Sequence, residues 1–321
     1  MNKRIEKQNL IDLHLHLDGS LSVDIIQKLA DLQNIILEET EEELREKLQV
    51  EDGCTSLNEY LTKFDFPLTF LQTKEGIEES IYLLLQELKE EGLSYAEIRF
   101  APQLHLQKGL TQKQVVASAV VGLKKAKFPA SLILCCMRGA DNHEQNLETV
   151  RLAAEYLNEG VCAVDLAGAE ALFRTELFKM EFALARKLGV PFTIHAGEAA
   201  GPESIRKAVS YGAKRIGHGV RAFEDAALMR ELAEKEIVLE LCPTSNLNTA
   251  VFADIKEYPL RKFLDEGIKV TINTDNRMVS NTTIYKEYTL LCDTFSLTQE
   301  EVDKIIENSK MAAFGKVLNY C

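Results

Sequence analysis

Asp12-Leu13-His14-Leu15-His16-Leu17-Asp18 alternates polar and apolar residues without a break. Successive side chains of an extended strand leave opposite faces, so His14 and His16 project together with Asp12 and Asp18, and the leucines project the other way. Two imidazoles one pleat apart can share a metal ion. The competing reading is a polar strand face whose histidines are satisfied by neighbours. A third histidine ends Pro191-Phe192-Thr193-Ile194-His195, and Ala196-Gly197 then let the chain turn and bring Glu198 back over the same place. Gly217-His218-Gly219 closes another short apolar run, with glycines that admit close approach of a ligand or a neighbouring backbone. Thr271-Ile272-Asn273-Thr274-Asp275-Asn276 supplies a carboxylate that taken alone could be a helix N-cap. Gathered at one point, His14, His16, His195 and Asp275 form a shell of three nitrogens and one oxygen, suited to a borderline cation, with zinc the first candidate. Asp165-Leu166-Ala167-Gly168 offers no lysine that could become a carbamate bridge, so one ion is expected rather than two.

These residues can meet only if separate segments deliver them to one rim. Short β-branched or apolar runs recur at residues 10–16, 95–100, 131–137, 161–166, 192–195, 215–218, 238–241 and 269–273. Helical periodicity fills the intervals at 112–126, 144–157, 175–188, 204–210, 225–235 and 260–265. Strands that alternate with helices pair in parallel. Eight such units predict a closed α/β barrel of the (β/α)8 type, and no G-x-G-x-x-G turn follows the first strand to favour a doubly wound sheet. Every polar residue singled out above falls at the C-terminal end of a strand, where barrels assemble their sites. Residues 20–92 are helical in pattern throughout, which predicts extra helices after the first strand, placed over the barrel mouth as a lid. Leu297-Thr298-Gln299-Glu300-Glu301 reads as a capped helix start near the end of the chain.

The chain of 321 residues has 46% apolar content and is expected to form a single domain over 1–321. With 37 basic and 50 acidic residues its net charge is -13, which repels phosphate backbones and anionic membranes. Nucleic acid is therefore not expected as a partner, whereas a neutral small molecule is. The longest apolar runs are too short to span a bilayer, and the N-terminal segment lacks the apolar stretch of a secretory signal. Seven cysteines without C-x-x-C spacing suggest reduced thiols, several of them in the core, and neither a disulfide framework nor a thiolate zinc site. A cytoplasmic protein is the expectation.

The motifs His-Leu-His-Leu-Asp-Gly (14–19), Asp-Leu-Ala-Gly (165–168), His-Ala-Gly-Glu-Ala-Ala-Gly-Pro-Glu-Ser (195–204), Arg-Ile-Gly-His-Gly-Val (215–220), Cys-Pro-Thr-Ser-Asn (242–246) and Asn-Thr-Asp (273–275) resemble those of the adenosine deaminase family of amidohydrolase-type barrels, in order and over nearly the whole chain. The resemblance implies zinc-dependent hydrolysis of the C6 amine of adenosine, and of 2′-deoxyadenosine, to inosine and ammonia in purine salvage. It implies one zinc on His14, His16, His195 and Asp275, with Glu198 delivering a proton to purine N1. His218 and Asp275 would orient the attacking water and take its proton. Gly168 would contact the purine through its backbone, and Asp18 would bond the sugar 5′-hydroxyl. His16 would touch the substrate as well as the metal, and Tyr60, Leu61 and Phe64 would cover the nucleoside with an apolar helix. Many members carry a second aspartate at the position of Asn276, toward purine N7; an asparagine amide donates there at any working pH. Ala169 likewise stands where an aspartate often follows the glycine. The alternatives are a deaminase of free adenine or of a modified adenosine on the same scaffold, a catalytically silent nucleoside-binding barrel, and a metal-stabilised structural domain. AMP is disfavoured because no basic cluster accompanies the motifs.

Overall fold

Each of the eight apolar runs forms a strand. In the computed structural model, which describes residues 5, 10–51, 53, 54 and 57–317, these are β1 (Ile11–His16), β2 (Tyr95–Phe100), β3 (Ala130–Met137), β4 (Val161–Ala167), β5 (Thr193–Ala196), β6 (Arg215–His218), β7 (Val238–Leu241) and β8 (Lys269–Ile272). All pairings are parallel, in the orders β1-β2-β3-β4 and β5-β6-β7-β8. Two parallel bridges join these halves: Val164 with Phe192, and Leu15 with Asp275. At the second seam the His16 N–H donates to the Asp275 carbonyl and the Asp275 N–H to the His14 carbonyl, each at 2.7 Å. The ring therefore runs through all eight strands as the α/β barrel expected, and its closure sets Asp275 against the end of β1.

Strand alternation divides the side chains as the sequence requires. Leu15 and Leu17 join the large apolar core, while Leu13 packs with Ile11 and Tyr95 in a smaller cluster. Asp12, His14, Glu97, Arg99, Asp165 and Glu240 are fully buried, so the barrel carries a polar interior that must be matched internally.

The interval between β1 and β2 is helical, with helices at Val23–Gln33, Glu41–Leu48, Leu57–Thr62, Asp65–Phe70 and Lys74–Glu90. The last takes the outer-wall place of a crossover helix, lying so close to the helix Gln112–Ala126 that a Cβ on Gly122 would fall 2.2 Å from the Glu78 carbonyl oxygen. The helix expected over 175–188 divides into a 3₁₀ turn at Thr175–Phe178 and a helix at Lys179–Leu188, because Phe178 leaves helical geometry at φ -104° and ψ 26°. Thr298 and Glu301 form the anticipated capping box ahead of the helix Gln299–Ala312. A six-residue helix at Pro243–Asn248, without apolar periodicity, is an addition to the sequence reading. Among the described residues no helix is long and apolar enough to cross a membrane. The six described cysteines are all buried; Cys321 lies outside the described residues.

Candidate active site

At the C-terminal ends of β1, β5, β6 and β8 the chosen residues converge. His14 Nδ1 lies 2.8 Å from Glu240 Oε2, and His195 Nδ1 lies 2.8 Å from Asp165 Oδ2. Each carboxylate stands as an acceptor for Nδ1–H, which keeps the proton on Nδ1 and turns the Nε2 lone pair toward the centre, the arrangement that prepares an imidazole to bind a cation. His16 Nε2 is 3.2 Å from His195 Nε2 and 3.3 Å from Asp275 Oδ1, and His14 Nε2 is 3.4 Å from the same oxygen. His14, His195, His218 and Asp275 each offer one ligand atom, all within 4.8 Å of one another. Of the four expected ligands that group holds three and has His218 as its fourth member, while His16 stands outside it, beside His195 and Asp275. Asp275 adopts φ 61° and its Oδ2 accepts from Ser245 Oγ at 2.6 Å.

Two buried arginines support this cluster from below. Arg99 donates to Asp165 Oδ2 and Glu240 Oε2, both at 2.9 Å, and Arg215 donates to Glu240 Oε1 and Glu97 Oε2, both at 2.6 Å. Burial pushes the Glu240 carboxyl up, but Arg99 and Arg215 overcome it and hold the group well below the ordinary carboxylate range. Asp165 is likewise lowered against burial by His195 and Arg99. Both therefore stay anionic and accept from the histidines.

Glu198 follows β5 on a turn, with Oε2 3.6 Å from His218 Nε2 and Oε1 3.5 Å from Thr249 Oγ1. Burial raises its carboxyl above the usual range, against the opposing effect of His218. The turn is held by a residue that the motif reading passed over. Glu170 Oε1 accepts from the Gly197 N–H at 2.8 Å and Ser204 Oγ at 2.5 Å, and Oε2 from the N–H groups of Glu198, Ala199 and Ala200 at 3.1, 2.8 and 2.9 Å.

The remaining residues surround this centre at different depths. A Cβ on Gly19 would fall 2.0 Å from Asn276 Oδ1, so only glycine lets the exits of β1 and β8 close on each other. Asp18 Oδ1 and Asn276 Oδ1 are buried without a hydrogen-bond partner, and burial pushes the Asp18 carboxyl up to about 6. Tyr60 is buried, with its hydroxyl 3.0 Å from Ser280 Oγ and 3.4 Å from Ser245 Oγ. Phe64 is half-buried, its ring centroid 6.0 Å from that of Tyr60, whereas Leu61 is exposed. Gly168, at φ 102°, and Ala169 are exposed beyond β4.

Comparison with known proteins agrees with this geometry. A family model described as adenosine deaminase matches residues 10–317. The adenosine deaminase of Haemophilus ducreyi is 49% identical over 319 residues, covering 97% of this chain and 93% of that one. The chain belongs to the adenosine deaminase family. Among solved structures, an adenine deaminase from Arthrobacter aurescens superposes with a TM-score of 0.86 at 25% identity, covering 96% of this chain and 94% of the other. An amidohydrolase from Burkholderia ambifaria with bound Zn has the same fold, with a TM-score of 0.83 at 20% identity over 97% of this chain and 86% of the other. The motif reading of this family member missed the support from Arg99, Glu240 and Glu170, and quoted Arg215 and Ser245 within motifs without giving either a role. The signal for that support was present in Tyr95-Ala96-Glu97-Ile98-Arg99, where charges occupy alternate positions of a strand that is buried on both faces.

Proposed function

We propose that this member of the adenosine deaminase family hydrolyses the 6-amino group of adenosine and of 2′-deoxyadenosine, releasing ammonia and leaving the 6-oxo nucleoside, with one zinc held by His14, His16, His195 and Asp275. The observation that carries the reading is the pair of imidazoles turned by Glu240 and Asp165 toward Asp275, with the raised carboxyl of Glu198 beside them. The donor set fits a dication. His14 Nε2 is fully buried without a hydrogen-bond partner, which is costly unless something else takes its lone pair. Charge fits too: Arg99 and Arg215 against Glu97, Asp165, Glu240 and Asp275 leave two negative charges around the imidazoles. The zinc in the Burkholderia amidohydrolase of the same fold supports the choice of metal.

A bound zinc supplies a nucleophile at neutral pH by acidifying water. The chain's own residues do the rest. Addition at C6 breaks ring aromaticity and places charge on N1; Glu198, whose hold on its proton burial strengthens, delivers a proton there, a step worth about 10²–10⁴-fold. Asp275, with one oxygen fixed by Ser245, accepts a proton from the water. Asp18 Oδ1 accepts from the 5′-hydroxyl, the Asn276 amide faces N7, and the Gly168 backbone meets the purine edge. Tyr60, Leu61 and Phe64 form the part of the 20–92 insertion that acts as a lid over a single barrel domain and excludes water.

An absorbance assay on adenosine, 2′-deoxyadenosine, adenine and a 6-substituted adenosine, joined to elemental analysis, tests the proposal. Turnover of both nucleosides with one zinc per chain, lost to a chelator and restored by zinc, is expected. Turnover of adenine alone would overturn the nucleoside reading, and a zinc-loaded protein inert on every substrate would overturn the enzymatic one.

A further inference from the structure

The site offers five donors for an ion that takes four ligands, since His218 lies within 4.8 Å of His14, His195 and Asp275, and His16 Nε2 stands 3.2 Å from His195 Nε2 and 3.3 Å from Asp275 Oδ1. The His218 ring centroid is 5.0 Å from that of His14 and 5.2 Å from that of His195, and its side chain is buried. What distinguishes His218 is the position of its proton. A neutral imidazole presents a lone pair at one nitrogen only when the other carries the hydrogen. At His14 and His195 the Nδ1 partner is a carboxylate, which accepts only, so the lone pair is at Nε2. At His218 the Nδ1 partner is an amide: Asn246 Nδ2, at 3.1 Å.

An amide can face a histidine either way round, and here a second contact fixes which. The Tyr258 hydroxyl donates to Asn246 Oδ1 at 3.1 Å. Burial holds the Tyr258 phenol well above its ordinary pKa, so it keeps a proton to donate. Donors therefore run one way, from Tyr258 to Asn246 Oδ1 and from Asn246 Nδ2 to His218 Nδ1. Reversing the amide would put an NH₂ group where the Tyr258 proton now meets a carbonyl, and take away the acceptor of that proton.

We infer that Asn246, fixed by Tyr258, locks His218 in the tautomer with its hydrogen on Nε2, which makes His218 a hydrogen-bond donor to the reacting oxygen and removes it from the metal's ligand set. The inference rests on the proposed deaminase reading and separates two roles the motifs left joined. His218 Nε2–H, 3.6 Å from Glu198 Oε2, steadies the oxygen, and Asp275 alone takes the proton. Asn246 and Tyr258 are positioning residues, acting through His218.

The test is long-range proton–nitrogen NMR on the zinc-loaded full chain with 15N-labelled histidine, its six histidines assigned by single substitutions. His218 is expected to show an unprotonated Nδ1 and a protonated Nε2. In Asn246→Asp the carboxylate only accepts, so the hydrogen moves to Nδ1; zinc stays at one per chain while kcat on adenosine falls by about 10²-fold, the scale of losing one aligned donor, with KM near wild type. Tyr258→Phe, which leaves the amide free to rotate, is expected to show both tautomers and serves if Asn246→Asp does not fold. A wild-type His218 protonated at Nδ1, or coupled through Nε2 to cadmium substituted for zinc, overturns the inference. A single Nε2–H signal retained in Tyr258→Phe overturns the part given to Tyr258. The NMR readout needs no substrate, so a protein inert on adenosine but with Nε2–H at His218 would refute the substrate reading and leave this one standing.

Discussion

Glu170→Gln puts the architecture around Glu198 to a quantitative test. The carboxylate receives five donors, two on one oxygen and three on the other. Glutamine keeps one acceptor oxygen and replaces the other with an NH₂ group, so whichever way the amide is placed at least two donors face a donor. With the carbonyl toward Gly197 and Ser204, the N–H groups of Glu198, Ala199 and Ala200 lose their acceptor. Hydrogen bonds to a charged group contribute about 1.5–3 kcal/mol each, but Ala199 is exposed and Ala200 half-buried, and water can reach both. Stability is therefore expected to fall by about 2–4 kcal/mol, below the additive sum because water replaces part of what Ala199 and Ala200 lose. The turn carrying Glu198 then shifts, and a displacement of about 1 Å at a reacting group lowers rate by about 10²-fold. Urea denaturation, zinc analysis and steady-state kinetics on adenosine are the measurements. Zinc at one per chain with kcat down about 10²-fold is expected. A variant that loses the same stability yet keeps wild-type kcat would show that Glu170 holds the fold without setting the position of Glu198.

Glu198→Gln should retain zinc and lose about 10²–10⁴-fold in turnover; near wild-type activity would remove Glu198 from the proton transfer. Asp165→Asn and Glu240→Gln should each weaken zinc binding by about 10–100-fold in competition with a chromophoric chelator, and unchanged affinity in both would refute the orienting role of these carboxylates. Glu287, fully buried beside Thr244 and Thr282, has its carboxyl raised by burial to about 7. The folded chain keeps this proton where the unfolded chain has released it, so the group's contribution is present below about pH 4.5 and is lost as pH rises toward 7, to a total of about 3 kcal/mol. Glu287→Gln should remove that part of the pH dependence of urea stability, and a slope unchanged from wild type would contradict the burial of an ionisable group there.

The donors were legible because each sits where periodicity and position coincide. Alternation in 12–18 places His14 and His16 on one face, and a strand end followed by small residues marks His195 and Glu198. The barrel followed from eight repeats, and the observed strand limits differ from the sequence reading by a residue at most. What sequence could not supply was the partner of each group. Glu170 meets the turn at Gly197–Ala200 from the loop after another strand, and Asn246 stands on a helix of six residues without apolar period. Those contacts depend on how separate loops fold over the rim, and no local pattern encodes them.

The charged residues below the site show why this division is physical. A carboxylate alone inside a barrel would be driven to its neutral acid, and a neutral acid at Glu240 or Asp165 would offer a proton to the histidine in place of accepting one. The lone pair would then be fixed at Nδ1, pointing away from the centre. Arg99 prevents this at both places at once, since one guanidinium spans Asp165 and Glu240, and Arg215 braces Glu240 from the other side. The orientation of His14 on β1 and of His195 on β5 thus depends on a residue from β2. The ligands are read from their own segments, but their readiness to bind is set by a charge on a third strand, visible only once the strands stand side by side.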